Sequence, residues 1–489
     1  VLASFCTPFI NQYVTNQKTT SDVICIGAGP AGLSAAYALA KAGRSVCVLE
    51  ADPEYVGGIA RTFRYKGFLF DIGGHRFFTK SQEVEDFWHE ILPNDFLVRE
   101  RHSHIFYNRK FFPYPLDAWI TLRLLGPWQT MLCGLSYLRA RLWPKHDPKS
   151  LADWTTNQFG RRLYNIFFRD YSAKLWGMPA DAISADWAQQ RINRLNLLQA
   201  VLNALRPKQS GAVVKSLIKQ FKYPRQGPGM FWAAAAEQLT ALGGRIEMGA
   251  RVSALAQNTD GTWEVTYQQG GHTHECTAHH VVSSMPVTEL ARFLHPTPVS
   301  MIAAQQLKYR DFIMIALMCE GPDLFNDQWI YINDSAVKVG RIQNFKAWSP
   351  EMVPDPKYNC YGLEYFCNET DDFWQMPNDD LITLAKHELQ STLGISANTI
   401  TDGCVVRQKK AYPVYTHDYQ AIMATVRSEL EARYPTLHMV GRNGMHRYNN
   451  QDHAIMSGLL TARNIMTGAR HFNTWAINQD GEYIEEVAG

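Results

Sequence analysis

Residues 22–50 read DVICIGAGPAGLSAAYALAKAGRSVCVLE, and the reading of this stretch decides the fold. Val23-Ile24-Cys25-Ile26 is a short β-branched run suited to a buried strand, and Gly27-Ala28-Gly29-Pro30-Ala31-Gly32 follows it without a break. An Ala- and Leu-rich segment with helical spacing runs to Ala42 and stops at Gly43, a natural residue just past a helix end. Ser45 to Leu49 supplies a second strand, closed by the acid Glu50. Strand, glycine turn, helix, strand and acid, in that order, form a dinucleotide-binding βαβ unit. Gly27 allows the tight turn, Gly29 lets backbone approach a pyrophosphate, and Gly32 lets helix pack on strand. Glu50 is placed to accept hydrogen bonds from ribose hydroxyls. Alone, the glycine pattern is a turn without a ligand; with both strands and the acid in place, it points to a nucleotide.

Working outward, Gly57-Gly58-Ile59-Ala60-Arg61-Thr62 resembles the second glycine signature of FAD-binding flavoproteins. The resemblance implies that this stretch lies along the FAD pyrophosphate, with Arg61 countering its charge. Two signatures in this order favour FAD over NAD. Gly27, Gly29, Pro30, Ala31, Gly32, Glu50, Ala51, Gly58, Ile59, Ala60 and Arg61 are therefore assigned to the cofactor. Next, the apolar strand Phe68-Leu69-Phe70-Asp71-Ile72 runs into Gly73-Gly74-His75-Arg76. Glycines let backbone approach a flat ring, and a histidine beside a flavin tunes it by hydrogen bonding, so Gly74 and His75 join the list. No cysteine or histidine stands at a recognisable covalent flavin anchor, so FAD is expected to be held non-covalently.

The far end of the chain supplies the rest of the cofactor domain. Leu437-His438-Met439-Val440-Gly441 reads as a strand leading through Arg442 to Gln451. A helix begins near Asp452, with Ile455, Leu459 and Leu460 on one buried face. Its N-terminus is expected to point at the flavin, which adds Gly441, Arg442, Asn450 and Gln451. Val252, Trp263 to Tyr267 and Val281 to Ser284 read as strands returning to the same domain, and Val252 is placed against the cofactor. The expected fold class is α/β: a discontinuous Rossmann-like FAD-binding domain, a helical subdomain and an antiparallel-sheet substrate domain. The expected boundaries are an arm at 1–20, cofactor domain at 21–100, 220–300 and 413–489, helices at 101–219 and sheet at 301–412.

Composition bounds the function. At 489 residues, 46% of them apolar and 19% charged, the chain is large enough for several cores. A net charge of +2 without a long basic run argues against a nucleic-acid partner. Nine cysteines scattered without metal-ligand spacing fit a reducing, cytoplasmic compartment. His272, His274, His279 and His280 read as a solvated hairpin end and not a metal site. No apolar run is long enough to span a bilayer. Leu124 to Leu138 comes nearest, and its plainer reading is a buried helix. The alternative is a helix lying on a membrane, because Trp119, Trp128, Tyr137 and Trp143 stand beside Arg139, Arg141 and Lys145.

Over roughly residues 21–470 the chain resembles the UDP-galactopyranose mutases, within the amine-oxidase and protoporphyrinogen-oxidase-like flavoproteins. Gly73-Gly74-His75 looks like that family's histidine loop against the isoalloxazine ring. Lys174-Leu175-Trp176-Gly177 is similar to its Lys-x-Trp-Gly, and Gly340-Arg341-Ile342 with Lys346 echoes its Thr-Arg-Ile. Ala411-Tyr412-Pro413-Val414 resembles Tyr-Tyr-Pro-Val, and Gly441-Arg442-Asn443-Gly444-Met445-His446-Arg447-Tyr448 resembles Gly-Arg-Leu-Gly-Thr-Tyr-Arg-Tyr. The resemblance implies a small-molecule substrate bearing a sugar diphosphate, on a nucleotide or a lipid. Trp176, Arg191, Arg341, Tyr412, Arg442 and Tyr448 would bind it, with His75, Arg341 and Arg442 in catalytic roles. Arg191 also stands near Trp187, where arginine and indole together would clamp a diphosphate and stack a base; core packing is the plainer reading. The family's Arg-x-Pro-x-Arg-Phe-Thr-Phe-Asp run is absent, replaced here by Gln190-Arg191-Ile192-Asn193-Arg194-Leu195. Two chemistries remain: attack of reduced flavin N5 on an anomeric carbon, or hydride removal from a C–H bond by oxidised FAD.

Overall fold

The computed structural model describes residues 19–187 and 219–478. Strand Thr19–Ile26 forms where Val23, Ile24 and Cys25 lose all solvent exposure. It lies parallel to Val46–Glu50, and helix Pro30–Lys41 crosses between them, completing the expected βαβ unit. In space the sheet runs Leu294–His295, Arg251–Gln257, Trp263–Gln269, His272–Ser283, Thr19–Ile26, Val46–Glu50, Arg245–Met248. The long strand His272–Ser283 does two jobs. Its first half pairs antiparallel with Trp263–Gln269, and its end pairs parallel with Leu437–Met439. Three distant chain segments thus share one sheet, as the discontinuous domain requires.

Helix Pro228–Ala241 locks this domain to the closing helix Gln451–Thr467. Trp232 is wholly buried and donates its Nε1–H to Gln451 Oε1 at 3.1 Å. Burying one such indole typically contributes about 2–3 kcal/mol. The same ring packs against Gly57, so the second glycine turn rests on it.

The second sheet has seven strands in the order Ile400–Pro413, Tyr309–Glu320, Tyr358–Cys367, Arg341–Asn344, Trp329–Ile332, Ser103–Tyr107, Lys110–Pro113. It differs from the expected antiparallel sheet of 301–412 in two ways. It takes a hairpin from the region read as helical, and that hairpin joins in parallel, Ser103–Tyr107 beside Trp329–Ile332. The hairpin turn is made by Asn108 and Arg109, both with positive φ (48° and 57°). A glycine-free turn of this kind gives little sequence signal. Four helices lie between 118 and 176, and their packing carries Tyr171 and Trp176 toward the sheet. Among the described residues no cysteine is in a disulfide, and no helix is long and apolar enough to cross a membrane.

Candidate functional site: a cofactor cleft facing an arginine and tyrosine cluster

The cleft begins where the first strand ends. Helix Pro30–Lys41 starts at Gly29 with no side-chain cap and no acid in its first turn. Its first amides and the positive end of its dipole are therefore presented to an anion. A Cβ at Gly32 would lie 1.9 Å from the Gly27 carbonyl oxygen, so only glycine lets the helix begin this close to the strand. A Cβ at Gly29 would meet the Gly58 Cα at 3.7 Å. The two glycine signatures thus face each other.

Glu50 is held at the strand end, accepting from the Ala28 N–H at 2.6 Å and the Asp52 N–H at 2.8 Å. Burial raises its pKa above the ordinary carboxylate value, and those two amides pull against the shift. The segment leading into Val252 runs alongside, with the Ala250 N–H donating to the Glu50 carbonyl at 2.7 Å. Arg61 donates to the Gly58 carbonyl at 2.8 Å, and its buried Nε, without a hydrogen bond, lies 3.7 Å from Asp52 Oδ2 in an ion pair. At the opposite wall Gly441 packs onto Ala31, its N–H bonded to Ser457 Oγ at 3.0 Å. Asn450 caps the closing helix through a capping box with His453. Gln451 spends its oxygen on Trp232, and its Nε2 is buried without a partner.

The histidine loop follows strand Phe68–Asp71. Asp71 is buried, accepting from Thr62 Oγ1 at 2.7 Å and from the Tyr223 hydroxyl at 2.5 Å. Beyond it, Gly74 is laid against Trp348 and Gln343, where a Cβ would sit 3.3 Å from the indole, a tight contact. His75 has a buried Nδ1 without a hydrogen-bond partner. Its pKa is pushed down to about 3, first by burial, then by the charges of Arg442 and Arg341. The imidazole is therefore neutral at physiological pH.

Burial pushes the Asp71 pKa up to about 7, against the pull of Tyr223 and Thr62. A carboxyl raised in the folded state adds stability below its unfolded pKa, and that stability is lost as pH rises through the folded one. The window runs from about pH 4 to about pH 7, at about 1.4 kcal/mol per pH unit at most. In Asp71→Asn this pH dependence should disappear. The thermal midpoint of wild type relative to the variant should fall between pH 5 and pH 8; a constant difference would show that Asp71 is ionised in the folded protein.

Across from His75 stand the residues expected to hold substrate. Arg341 makes a forked pair with the wholly buried Glu364, at 2.8 and 2.5 Å, and Gln343 Nε2 donates to the other carboxylate oxygen at 2.5 Å. Burial, the largest effect, opposes the Arg341 charge, but Glu364 and the ring of Tyr412, Tyr171 and Tyr331 together outweigh it and hold the pKa above its ordinary value. Arg442 donates from Nε to the Asn449 carbonyl at 2.9 Å and from Nη1 to Ala411 at 3.2 Å. Its guanidinium lies 5.4 Å from the Tyr412 ring and 4.9 Å from Tyr448. Those rings stack on each other with centroids 5.5 Å apart and planes 17° from parallel. Trp176 meets Tyr448 edge-on at 6.4 Å.

The sequence list is brought together with some exceptions. Arg191 lies outside the described residues. Lys174, beside Trp176, turns away and donates to the carbonyls of Ile332, Asp334 and Val339, which makes it a tie between helix and sheet. Lys346 pairs with Asp323 at 2.6 Å. Within the run that matched so well, His446 is buried against Val414 and Arg447 binds the carbonyls of Trp475 and Ile477. Only Arg442 and Tyr448 of that run join the cluster. Sequence reading missed Tyr171 and Tyr331, whose rings meet at 5.5 Å with Tyr331 beside Arg341. It also missed Glu364, although an acid inside the apolar run Tyr358–Cys367 is a signal in itself, since a buried charge requires a partner.

Glycine turns facing a helix N-terminus, a buried acid at the strand end and the buried, unpartnered Nε2 of Gln451 together fit FAD. They define a FAD-binding enzyme. The chain belongs to the flavin containing amine oxidoreductase family, which it matches over residues 30–466. A crystal structure of reduced UDP-galactopyranose mutase superposes with a TM-score of 0.80 at 22% identity, covering 94% of this chain and 99% of the mutase. A protein described as a protoporphyrinogen oxidase from Exiguobacterium follows at 0.72 and 15% identity, covering 93% and 100%. At these identities the likeness is one of fold. The 15-cis-phytoene desaturase of Arabidopsis thaliana is 26% identical over 303 residues, 56% of this chain and 49% of the desaturase. The chain thus spans about half the length of that curated relative. The expected cofactor and superfamily are borne out, and FAD is the cofactor.

Proposed function

We propose that this enzyme acts on a sugar diphosphate and rearranges the sugar at its anomeric carbon without net oxidation. The supporting observation is the charge of the site. Arg341 and Arg442 both act on His75, while the carboxylate among the named cluster residues, Glu364, is committed to Arg341. A cationic amine would be repelled here, and a diphosphate would be drawn in. A guanidinium braced by two backbone carbonyls and two stacked rings is pre-organised for bidentate phosphate binding.

Bound and reduced, FAD supplies the electron pair for the anomeric carbon. The chain's own residues do the rest. Arg442, Tyr412 and Tyr448 hold the diphosphate close as it leaves and returns, which keeps recombination effectively intramolecular. Glu364 fixes the Arg341 fork. Neutral His75 would serve a bound flavin as a hydrogen-bonding partner without adding positive charge. Trp176 closes the wall beside Tyr448 and excludes water.

The test is a titration of oxidised and dithionite-reduced enzyme with UDP-, dTDP- and GDP-sugars and with polyprenyl-diphosphate sugars. Reduced enzyme should bind one class and return a ring-size isomer with no consumption of reductant. Failure of every sugar diphosphate to bind in either redox state would leave hydride removal, the chemistry of the wider family, as the function.

A further inference from the structure

Helices Ala118–Leu125 and Pro127–Leu142 follow one another across a break at Gly126. Its second helix has two apolar faces. The inner one carries Cys133, Tyr137 and Ala140 against helix Leu151–Phe167, where the Arg162 N–H donates to Ser136 Oγ at 3.0 Å and its guanidinium to Gln129. The outer one carries Trp128, Met131, Leu135, Leu138 and Leu142, all exposed, at alternating spacings of three and four residues. That spacing puts them in one stripe along the whole helix, roughly 24 Å long. Trp119 (63% exposed), Trp128 (65%) and Trp143 (74%) extend the patch at both ends, so the expected buried helix is buried on one side only.

We propose that this outer face docks onto an anionic lipid bilayer. Scattered exposed apolar residues are ordinary, but a contiguous stripe of this length marks a binding surface. Two features select the occupant. From Ala118 to Leu142 the chain holds Arg123, Arg139 and Arg141 and no Asp or Glu, with Arg109 and Lys110 exposed at the neighbouring hairpin tip. Lys145 and Lys149 are paired with Asp153 and Asp147 and add little. A second copy of this chain would bring its own arginines against these, whereas an anionic headgroup layer neutralises them. The tryptophans at the stripe's ends are the side chains favoured at the headgroup boundary, apolar in body with one polar N–H.

The full-length holoenzyme should float with vesicles of phosphatidylcholine plus phosphatidylglycerol, and much less with phosphatidylcholine alone. Added salt should weaken the binding. Trp128→Ala with Leu135→Ser should reduce partitioning by tenfold or more while FAD content and far-UV dichroism stay unchanged. Arg123→Glu with Arg139→Glu should remove the preference for anionic vesicles, at roughly fivefold per base. Equal flotation with both lipids, no flotation of wild type, or a concentration-dependent dimer dispersed by Leu135→Ser would each overturn the proposal; the last would assign the face to a second copy.

Discussion

Gly29→Leu should give a folded, colourless protein. Gly29 has φ −81° and ψ −178°, an extended backbone that any residue adopts, so the substitution carries no conformational strain. The new side chain would grow from a Cβ 3.7 Å from the Gly58 Cα and fill the gap between the two glycine turns, where the pyrophosphate is expected. FAD affinity should fall at least about a hundredfold, or about 2.7 kcal/mol. Gly29→Ala should keep much of the flavin, because 3.7 Å is an ordinary contact distance. Gly32→Ala makes the contrast: its methyl would collide with the Gly27 carbonyl, and the protein should lose its fold along with its cofactor. The readout is the unfolding midpoint with and without added FAD. Ligand binding to the folded state raises the midpoint of wild type, and the Leu variant should show no such rise. A Leu variant that copurifies with a full complement of flavin would put the cofactor elsewhere.

What the sequence made legible was whatever local chemistry announces. The βαβ unit could be read because strand, turn and helix each have a period and the turn demands glycine at fixed positions. The closing strand and helix could be read for the same reason, and the helix starts at Gln451, one residue before the expected Asp452. The hairpin Ser103–Tyr107 and Lys110–Pro113 was hidden because Asn108 and Arg109 make its turn without glycine. Motif spacing also could not say which way a side chain turns. His446 has φ 47°, and this left-handed step sends Arg447 toward Trp475 while Tyr448 comes back to the cluster. Lys174 and Trp176 are two residues apart on one helix and so point to different sides of it, one to backbone carbonyls and one to the site. The double-faced helix Pro127–Leu142 shows a further limit. Apolar residues on two sides blur its amphipathic pattern, and only its packing on Leu151–Phe167 reveals which stripe is left uncovered.

Arg442→Ala should weaken sugar-diphosphate binding to the reduced enzyme by roughly ten- to a hundredfold, the loss of one charge-assisted contact of about 1.5–3 kcal/mol. FAD content should stay nearly intact, since Gly441 still packs on Ala31 and the closing helix keeps its Asn450 cap. Truncation also strands the carbonyls of Asn449 and Ala411, which the guanidinium now satisfies, so part of the loss will come from a looser Tyr412–Tyr448 stack. Two controls separate the contributions. Arg442→Lys keeps the charge but cannot present a planar fork to carbonyls and phosphate at once, and should recover only part of the affinity. Tyr448→Phe keeps the stacked ring and removes its hydroxyl alone. If Arg442 and Tyr448 grip the same phosphate, the double variant should lose less than the sum of the single losses. Additive losses would mean that they touch different parts of the ligand. An Arg442→Ala protein that loses FAD and keeps its affinity for sugar diphosphates would make this arginine part of the cofactor site, and the charge argument for the substrate would then rest on Arg341, already neutralised by Glu364.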